Sequence, residues 1–243
     1  MNHHRAVQSE ACSLSDHVTD ADFGFIDPPY NQGVDYGHGI SDDRKTYRYH
    51  EMLRSWIDGL GDCLRPGGVI AVLISDAHAH VVADWMIEQY GDPLARIIWH
   101  ERFSQYNQHN WTKAHRHLII HKIEGPKHTW NTEHIRVPSQ RMLAGDKRAK
   151  GPRVPDTVWT VRRLQGTSKH RVEGHPCQLP PEPLERLIHA YTNPGDTVAE
   201  SCCGVGSLAV VAQRLNRRYT GGDLNPDFVA IANKRLDNGS VPF

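Results

Sequence analysis

The sequence predicts an α/β fold with a mainly parallel sheet, and three observations carry that prediction. Short continuous apolar runs alternate with segments of helical periodicity. One apolar run ends on Asp27-Pro28-Pro29-Tyr30, and a later one runs into Cys203-Gly204-Val205-Gly206 before a helical pattern. The chain has 243 residues, 38% hydrophobic and 23% charged, which is ordinary for a globular domain with a real core.

Taken in order, residues 1–20 are polar, with one short possible strand. Residues 23–26 form an apolar run, and two prolines then stop it, so a strand ends in a rigid loop. Residues 31–46 carry Gly33, Gly37 and Gly39 among polar residues and are expected to form a mobile loop. Met52, Leu53, Trp56, Ile57, Leu60 and Leu64 recur at helical spacing until Arg65-Pro66-Gly67-Gly68 ends the pattern. Residues 69–74 form a continuous apolar run, as in a strand buried on both faces. A helix over 78–90 and strands over 94–99 and 118–123 follow. From 124 to 174 the pattern fades into Pro, Gly, Lys and Arg, with Trp130 and Trp159 interspersed. A helix over 183–191, a strand over 197–200, a helix over 208–215, a strand ending at Asp223 and a helix over 227–236 complete the chain. Trp56 and Trp85 fit helix faces packed on the sheet.

The formal net charge is zero. That balance hides an asymmetry. Residues 101–175 hold 15 Lys and Arg against 6 Asp and Glu, leaving 13 basic and 22 acidic residues elsewhere. A basic segment in an acidic body suits contact with a polyanion, although a solvated loop gives the same composition. The five cysteines form no C-x-x-C pair, so a zinc cluster is not expected. His78 with His80, or His115 with His117, could each supply two metal ligands. No carboxylate or Cys stands at ligand spacing, so no metal is expected. No apolar run is long enough to span a bilayer, nothing at the N-terminus resembles a signal peptide, and a cytoplasmic protein is expected.

Two candidate sites emerge. An exocyclic amine of a base is a poor nucleophile because its lone pair is delocalised into the ring. A carboxylate from Asp27 accepting one N–H, and the carbonyl of Pro28 accepting the other, would free that lone pair. Pro28 and Pro29 fix the loop, and Tyr30 can stack on a base taken out of the duplex. The same four residues also fit a strand-end turn with a capping Asp. The second site is Glu200-Ser201-Cys202-Cys203-Gly204-Val205-Gly206, followed by Gly221-Gly222-Asp223. Strand, glycine turn and helix bring backbone close to a ligand, and an acid ending the next strand can hold ribose hydroxyls. Many nucleotide binders share such a motif, and position 209 is Ala rather than the third Gly.

From Ala21 to Leu236 the chain resembles the amino-type DNA methyltransferases, which act on N6 of adenine or N4 of cytosine. The order is that of their permuted β-class, and the Phe25–Asn31 motif with Gly33-Val34-Asp35-Tyr36-Gly37 resembles phage- and prophage-type adenine enzymes. His175-Pro176-Cys177-Gln178-Leu179-Pro180 is similar to the family's His-Pro-Thr-Gln-Lys-Pro, and Asn193 to Val198 to its lead-in to the cofactor strand. Glu200 to Gly206 stands in the place of Asp-Pro-Phe-x-Gly-Ser-Gly, and Asp223 in that of the ribose-binding acid.

The resemblance implies a Rossmann-like S-adenosylmethionine-dependent fold: a seven-stranded, mostly parallel sheet with one reversed strand. It implies a catalytic half over residues 1–123, an inserted target-recognition region over 124–174 and a cofactor-binding half over 175–243. Asp27, Pro28, Pro29 and Tyr30 would be catalytic. Asp27, Gln178, Glu200, Cys202, Gly204, Gly206 and Asp223 would line the S-adenosylmethionine site. Lys147, Arg148, Lys150 and Arg153 would hold DNA phosphates. The implied activity is N6-adenine methylation of DNA within a restriction–modification setting. N4-cytosine methylation and a DNA-binding homologue without turnover are the alternatives. Relatives are often homodimers. Cys202 replaces the aromatic that usually lines the pocket, a loss of roughly 1–3 kcal/mol in cofactor binding. The Gly-Asp strand expected before the catalytic strand is not evident in residues 1–20, so the adenine side of the cofactor site is unassigned.

Overall fold

The computed structural model describes residues 4–101, 108–164, 168 and 171–239. Eight strands form one sheet: β1 (His4–Gln8), β2 (Ala21–Ile26), β3 (Leu64–Ser75), β4 (Ala95–Glu101), β5 (His115–Lys122), β6 (Val158–Val161), β7 (Thr197–Ser201) and β8 (Arg218–Asp223). Their spatial order is β1-β8-β7-β2-β3-β5-β4-β6. Only β5 is reversed, running antiparallel to both β3 and β4.

The sheet therefore has one strand more than the seven expected. The addition is β6, which lies within residues 124–174, the stretch expected to be an insertion, and pairs parallel to β4 along the sheet edge. The possible strand near the N-terminus is β1, which pairs with β8 at the opposite edge.

The helices are α1 (Thr46–Gly61), α2 (Asp76–Tyr90), α3 (Gln140–Leu143), α4 (Pro181–Tyr191), α5 (Ser207–Arg214) and α6 (Pro226–Asp237). Side chains alternate along β3, so Ile70, Val72 and Ile74 face one layer while Val69, Ala71 and Leu73 face the other. On the first face they meet Tyr49, Leu53, Ile57 and Leu60, the buried stripe of α1, together with Val82 and Met86 of α2. On the second face the core includes Leu184, Leu187 and Ile188 of α4, Leu208 and Val211 of α5, and Ala232 and Leu236 of α6. Trp56 and Trp85 are partly buried against the first core.

Helix starts follow local chemistry. Pro lies in the first turn of α4 and of α6, and the Asn225 side chain accepts the backbone amides of Asp227 and Phe228. Gly61 ends α1 ahead of Arg65-Pro66-Gly67-Gly68, and that tetrapeptide already belongs to β3. Gly67 has φ +76, and a Cβ there would stand 2.7 Å from the Pro126 carbonyl oxygen, so only Gly permits this approach. Among the described residues no helix is long and apolar enough to cross a membrane.

Candidate active site

The two sequence motifs meet at the middle of the sheet. β2 and β7 are parallel neighbours, with Phe25 opposite Glu200 and Ile26 opposite Ser201. Asp27 and Cys202, the next residue of each strand, thus leave the sheet side by side. From β2 the chain continues to β3 on one side, and from β7 to β8 on the other. This is a topological switch point, where ligands bind beyond strand C-termini. A cleft of about 760 Å³ opens there, lined by Asp27, Pro28, Pro29, Tyr30, Gln178, Glu200, Cys202, Gly204 and Asp223. Gly206, also expected at the cofactor site, is not part of that lining; it is the N-cap of α5, with φ +74.

At the catalytic end Asp27 is held by side chains. The Tyr30 hydroxyl donates to Asp27 Oδ1. Arg116 Nη1 stands 3.8 Å from Asp27 Oδ2 and donates to the Tyr30 hydroxyl at 3.3 Å. Glu101 grips the other arm of the same guanidinium. The guanidinium carbon also lies 5.4 Å from the Trp99 ring and 5.9 Å from the Tyr30 ring. Burial pushes the Asp27 carboxyl up to about 6, and Arg116 opposes that rise. Asp27 is therefore mainly ionised at neutral pH. Tyr30 was expected as a stacking platform; its ring does line the cleft, and its hydroxyl is engaged by Asp27. The loop itself is pinned by the Tyr49 hydroxyl, which donates to the Pro29 carbonyl at 2.6 Å.

At the other end the grip is made by backbone. The amide of Gly204 donates to Asp223 Oδ2 at 2.8 Å, and that of Asn225 to Oδ1 at 2.9 Å. Each carboxylate oxygen keeps a lone pair for a ligand hydroxyl. Gly204 has φ +51, and a Cβ there would fall 2.5 Å from His175 Nε2. His175 packs on Phe228, and burial pushes its pKa down to about 4, so it is neutral. Gln178 is buried, with its Oε1 accepting from the Val172 amide at 2.7 Å. Glu200 is turned largely into the core, where the Tyr219 hydroxyl donates to it at 2.5 Å; burial drives its pKa well up, toward the neutral acid. Cys202 adopts φ +57 and rests partly against the α1 side of the core.

Several site residues lay outside the sequence motifs. Arg116 and Glu101 come from β5 and β4, and only the antiparallel turn of those strands brings them to Asp27. Ser9, directly after β1, lines the cleft, and its amide donates to the Asp223 carbonyl at 3.1 Å. An edge strand this short leaves little pattern to detect. The loop expected to be mobile over residues 31–46 is closed by a bridge between Asp35 and Ser41, and its last residue already belongs to α1. It is tied to α6 by Asn225, which donates to the Tyr36 carbonyl, and by a His38–Asp227 pair at 2.8 Å.

The four basic candidates of the inserted segment are all exposed. Arg148 is paired with Asp146, and Arg153 with Asp156, each at 3.5 Å. Trp159 is buried beneath the Arg186 guanidinium, while Trp130 is half-exposed against Tyr191. Trp111, by contrast, is 91% exposed and stands between cleft-lining Gln108 and Lys113.

Comparison with known proteins bears on this arrangement. Type II methyltransferase M.HpaI of Haemophilus parainfluenzae is 29% identical over 219 residues, covering 89% of this chain and 68% of that protein. The solved complex of M1.HpyAVI with SAM aligns with TM-score 0.63 at 18% identity, over 96% of this chain and 99% of that one. PvuII DNA methyltransferase, described as cytosine-N4-specific, aligns with TM-score 0.69 at 15% identity, over 97% and 93%. These two structures share the fold. Residues 21–234 match the N6/N4-type DNA methylase family, and the chain belongs to that family.

Proposed function

We propose that the protein transfers a methyl group from S-adenosylmethionine to the exocyclic N6 of an adenine turned out of duplex DNA into the cleft. The observation that carries this reading is the adjacency of an ionised carboxylate on β2 and a glycine turn on β7, at the ends of neighbouring parallel strands. The residues present suit the cofactor. Gly204 brings bare backbone to the cleft, Asp223 has free lone pairs for two ribose hydroxyls, and the cleft volume lies within the usual ligand range. Gln178 and the neutral His175 border the methionine end, and Ser9 the adenine end. Cys202 leaves more room than an aromatic, which favours a modest cofactor affinity. Glu200 supports the floor of the pocket through Tyr219 rather than acting as a free ligand.

Bound S-adenosylmethionine supplies a methyl group on a positively charged sulfur, which is a good leaving group without further activation. The protein's task is positioning and electrostatics. Asp27 accepts one amine hydrogen and the Pro28 carbonyl the other, so the nitrogen lone pair faces the methyl carbon. The N–C bond forms as the C–S bond breaks, and the sulfur keeps the electron pair. The surplus proton on nitrogen leaves through the Asp27 carboxylate toward solvent. Arg116 holds Asp27 ionised in the buried site, and Tyr30 yields its hydroxyl contact as the amine arrives. The basic inserted segment, with Lys147 and Lys150 foremost, lies along phosphates, and Trp111 reaches toward the opened helix.

Mass spectrometry of nucleosides, from host DNA before and after expression, tests the reading. N6-methyladenine is the expected product. N4-methylcytosine would move the specificity to the other branch of the same chemistry. Tight cofactor binding with no modified nucleoside would leave a DNA-binding protein without turnover.

A further inference from the structure

We propose that Asp76, His115 and His117 form a binding site for a divalent transition metal of the zinc type. The three are far apart in sequence and meet through the fold. Ser75, the last residue of β3, is paired with Arg116 of β5, so Asp76 at the start of α2 extends over β5 at that point. His115 and His117 flank Arg116, and strand alternation places both on one face with Arg116 on the other. The arginine serves the Asp27 cluster, and the two imidazoles converge on Asp76.

The convergence has metal-site dimensions. One ligand atom from each residue lies within 4.8 Å of the other two. His117 Nε2 stands 2.9 Å from Asp76 Oδ1, and His115 Nε2 stands 3.3 Å from the same oxygen. Ligands about 2.0–2.1 Å from a zinc ion are separated by about 2.9 Å at a right angle and about 3.3 Å at the tetrahedral angle. The observed spacings match those two values. Two hydrogen bonds could account for the distances alone. The donor set adds a second argument, because two imidazoles and one carboxylate suit zinc, nickel and cobalt ions better than magnesium or calcium. Side-chain exposure of 24–51% leaves solvent, or a DNA phosphate oxygen, to complete the coordination shell. The ion would tie the N-terminus of α2 to β5 beside the cleft, which Asp76 and His115 also line. This inference is independent of the base that is methylated.

A neighbouring pair, His50 and His78, with ring nitrogens 3.2 Å apart, provides the internal control. The full chain, stripped by chelator, is titrated with Zn²⁺ for melting temperature and with Co²⁺ for its visible ligand-field absorption. One ion per chain, a saturable rise in Tm and a Co²⁺ band are expected. His117→Ala and His115→Ala should each weaken binding by at least about 100-fold, and Asp76→Asn by at least about 10-fold, because removing a ligand costs no less than the roughly 10–100-fold lost with an outer-shell partner. His78→Ala should change it less than about 3-fold. Equal melting of all variants in chelator checks that each folds. Absence of saturable binding would overturn the assignment, as would binding lost in His78→Ala and kept in His117→Ala.

Discussion

The ends of β2 and β8 flank β7 in one sheet, and both offer carboxylates to the same cleft, yet they hold them differently. Asp27 is surrounded by side chains, Tyr30 and Arg116, which can rearrange when a base enters. Asp223, at the end of β8 beside β7, is clasped by the backbone amides of Gly204 and Asn225. Backbone donors in a glycine turn have no rotamers to change. On the proposed function, the difference separates two tasks of the site: a fixed cradle for the cofactor, and an adjustable acceptor for an amine whose hydrogens must be drawn aside during reaction.

The contrast breaks most sharply at Asp27. Replacing it with Ala should lower methyl transfer on the order of 10²–10³-fold, the scale of losing one preorganised group in an active site. Cofactor affinity, measured by calorimetry, should stay within about 3-fold. Comparable losses in both quantities would merge the two tasks into one. Asp223→Ala should act in the opposite sense. It removes charged hydrogen bonds, and the loss of even one, worth about 1.5–3 kcal/mol, should raise the cofactor KM by roughly 10–150-fold while kcat falls less. An unchanged KM would remove Asp223 from the ribose role.

The DNA surface should give a smaller and more graded response. Lys147→Ala with Lys150→Ala should reduce the slope of log affinity against log salt by about one to two, near one per phosphate contact. Arg148 and Arg153 already face Asp146 and Asp156, so each should contribute less than either lysine. Equal slopes in parent and double variant would place the phosphates elsewhere.

Both motifs were legible in the sequence because each is short and contiguous. Asp27-Pro28-Pro29-Tyr30 announces a stopped strand, and Gly204 to Gly206 announces a turn into a helix. The buried strand β3 was equally plain, since an apolar run between a glycine pair and a helical pattern has few other readings. Edge strands hid for the converse reason. β1 and β6 each bury one face of 5 or 4 residues, so alternation hardly shows against polar surroundings. Glu200 lines the cleft as its spacing suggests, while its partner, the buried Tyr219 hydroxyl, comes from a different strand that no local pattern announces. Arg116 could not be found by spacing at all. It lies 89 residues beyond Asp27, and no local pattern tells which strand will return antiparallel with its arginine toward the site. The pair His115 and His117 was visible by its spacing, whereas Asp76, 39 residues before His115, was hidden in the same way as Arg116.

The central claim is that an ionised Asp27, kept so by Arg116, accepts one of the amine's hydrogens. The most direct measurement is the single-turnover methyl-transfer rate as a function of pH, for the parent and for Arg116→Met. The charges facing Asp27 are Arg116 and Glu101, with the Tyr30 hydroxyl, the largely neutral Glu200 carboxyl and the Cys177 and Cys202 thiols nearby. The rate should fall as pH drops through about 6, where Asp27 takes up its proton. Without Arg116 the cation that lowers this pKa is gone, so the same limb should move to higher pH, and Arg116→Lys should restore part of the shift. A parent profile flat from pH 5 to 8, or a limb that stays in place when Arg116 is removed, would contradict the account.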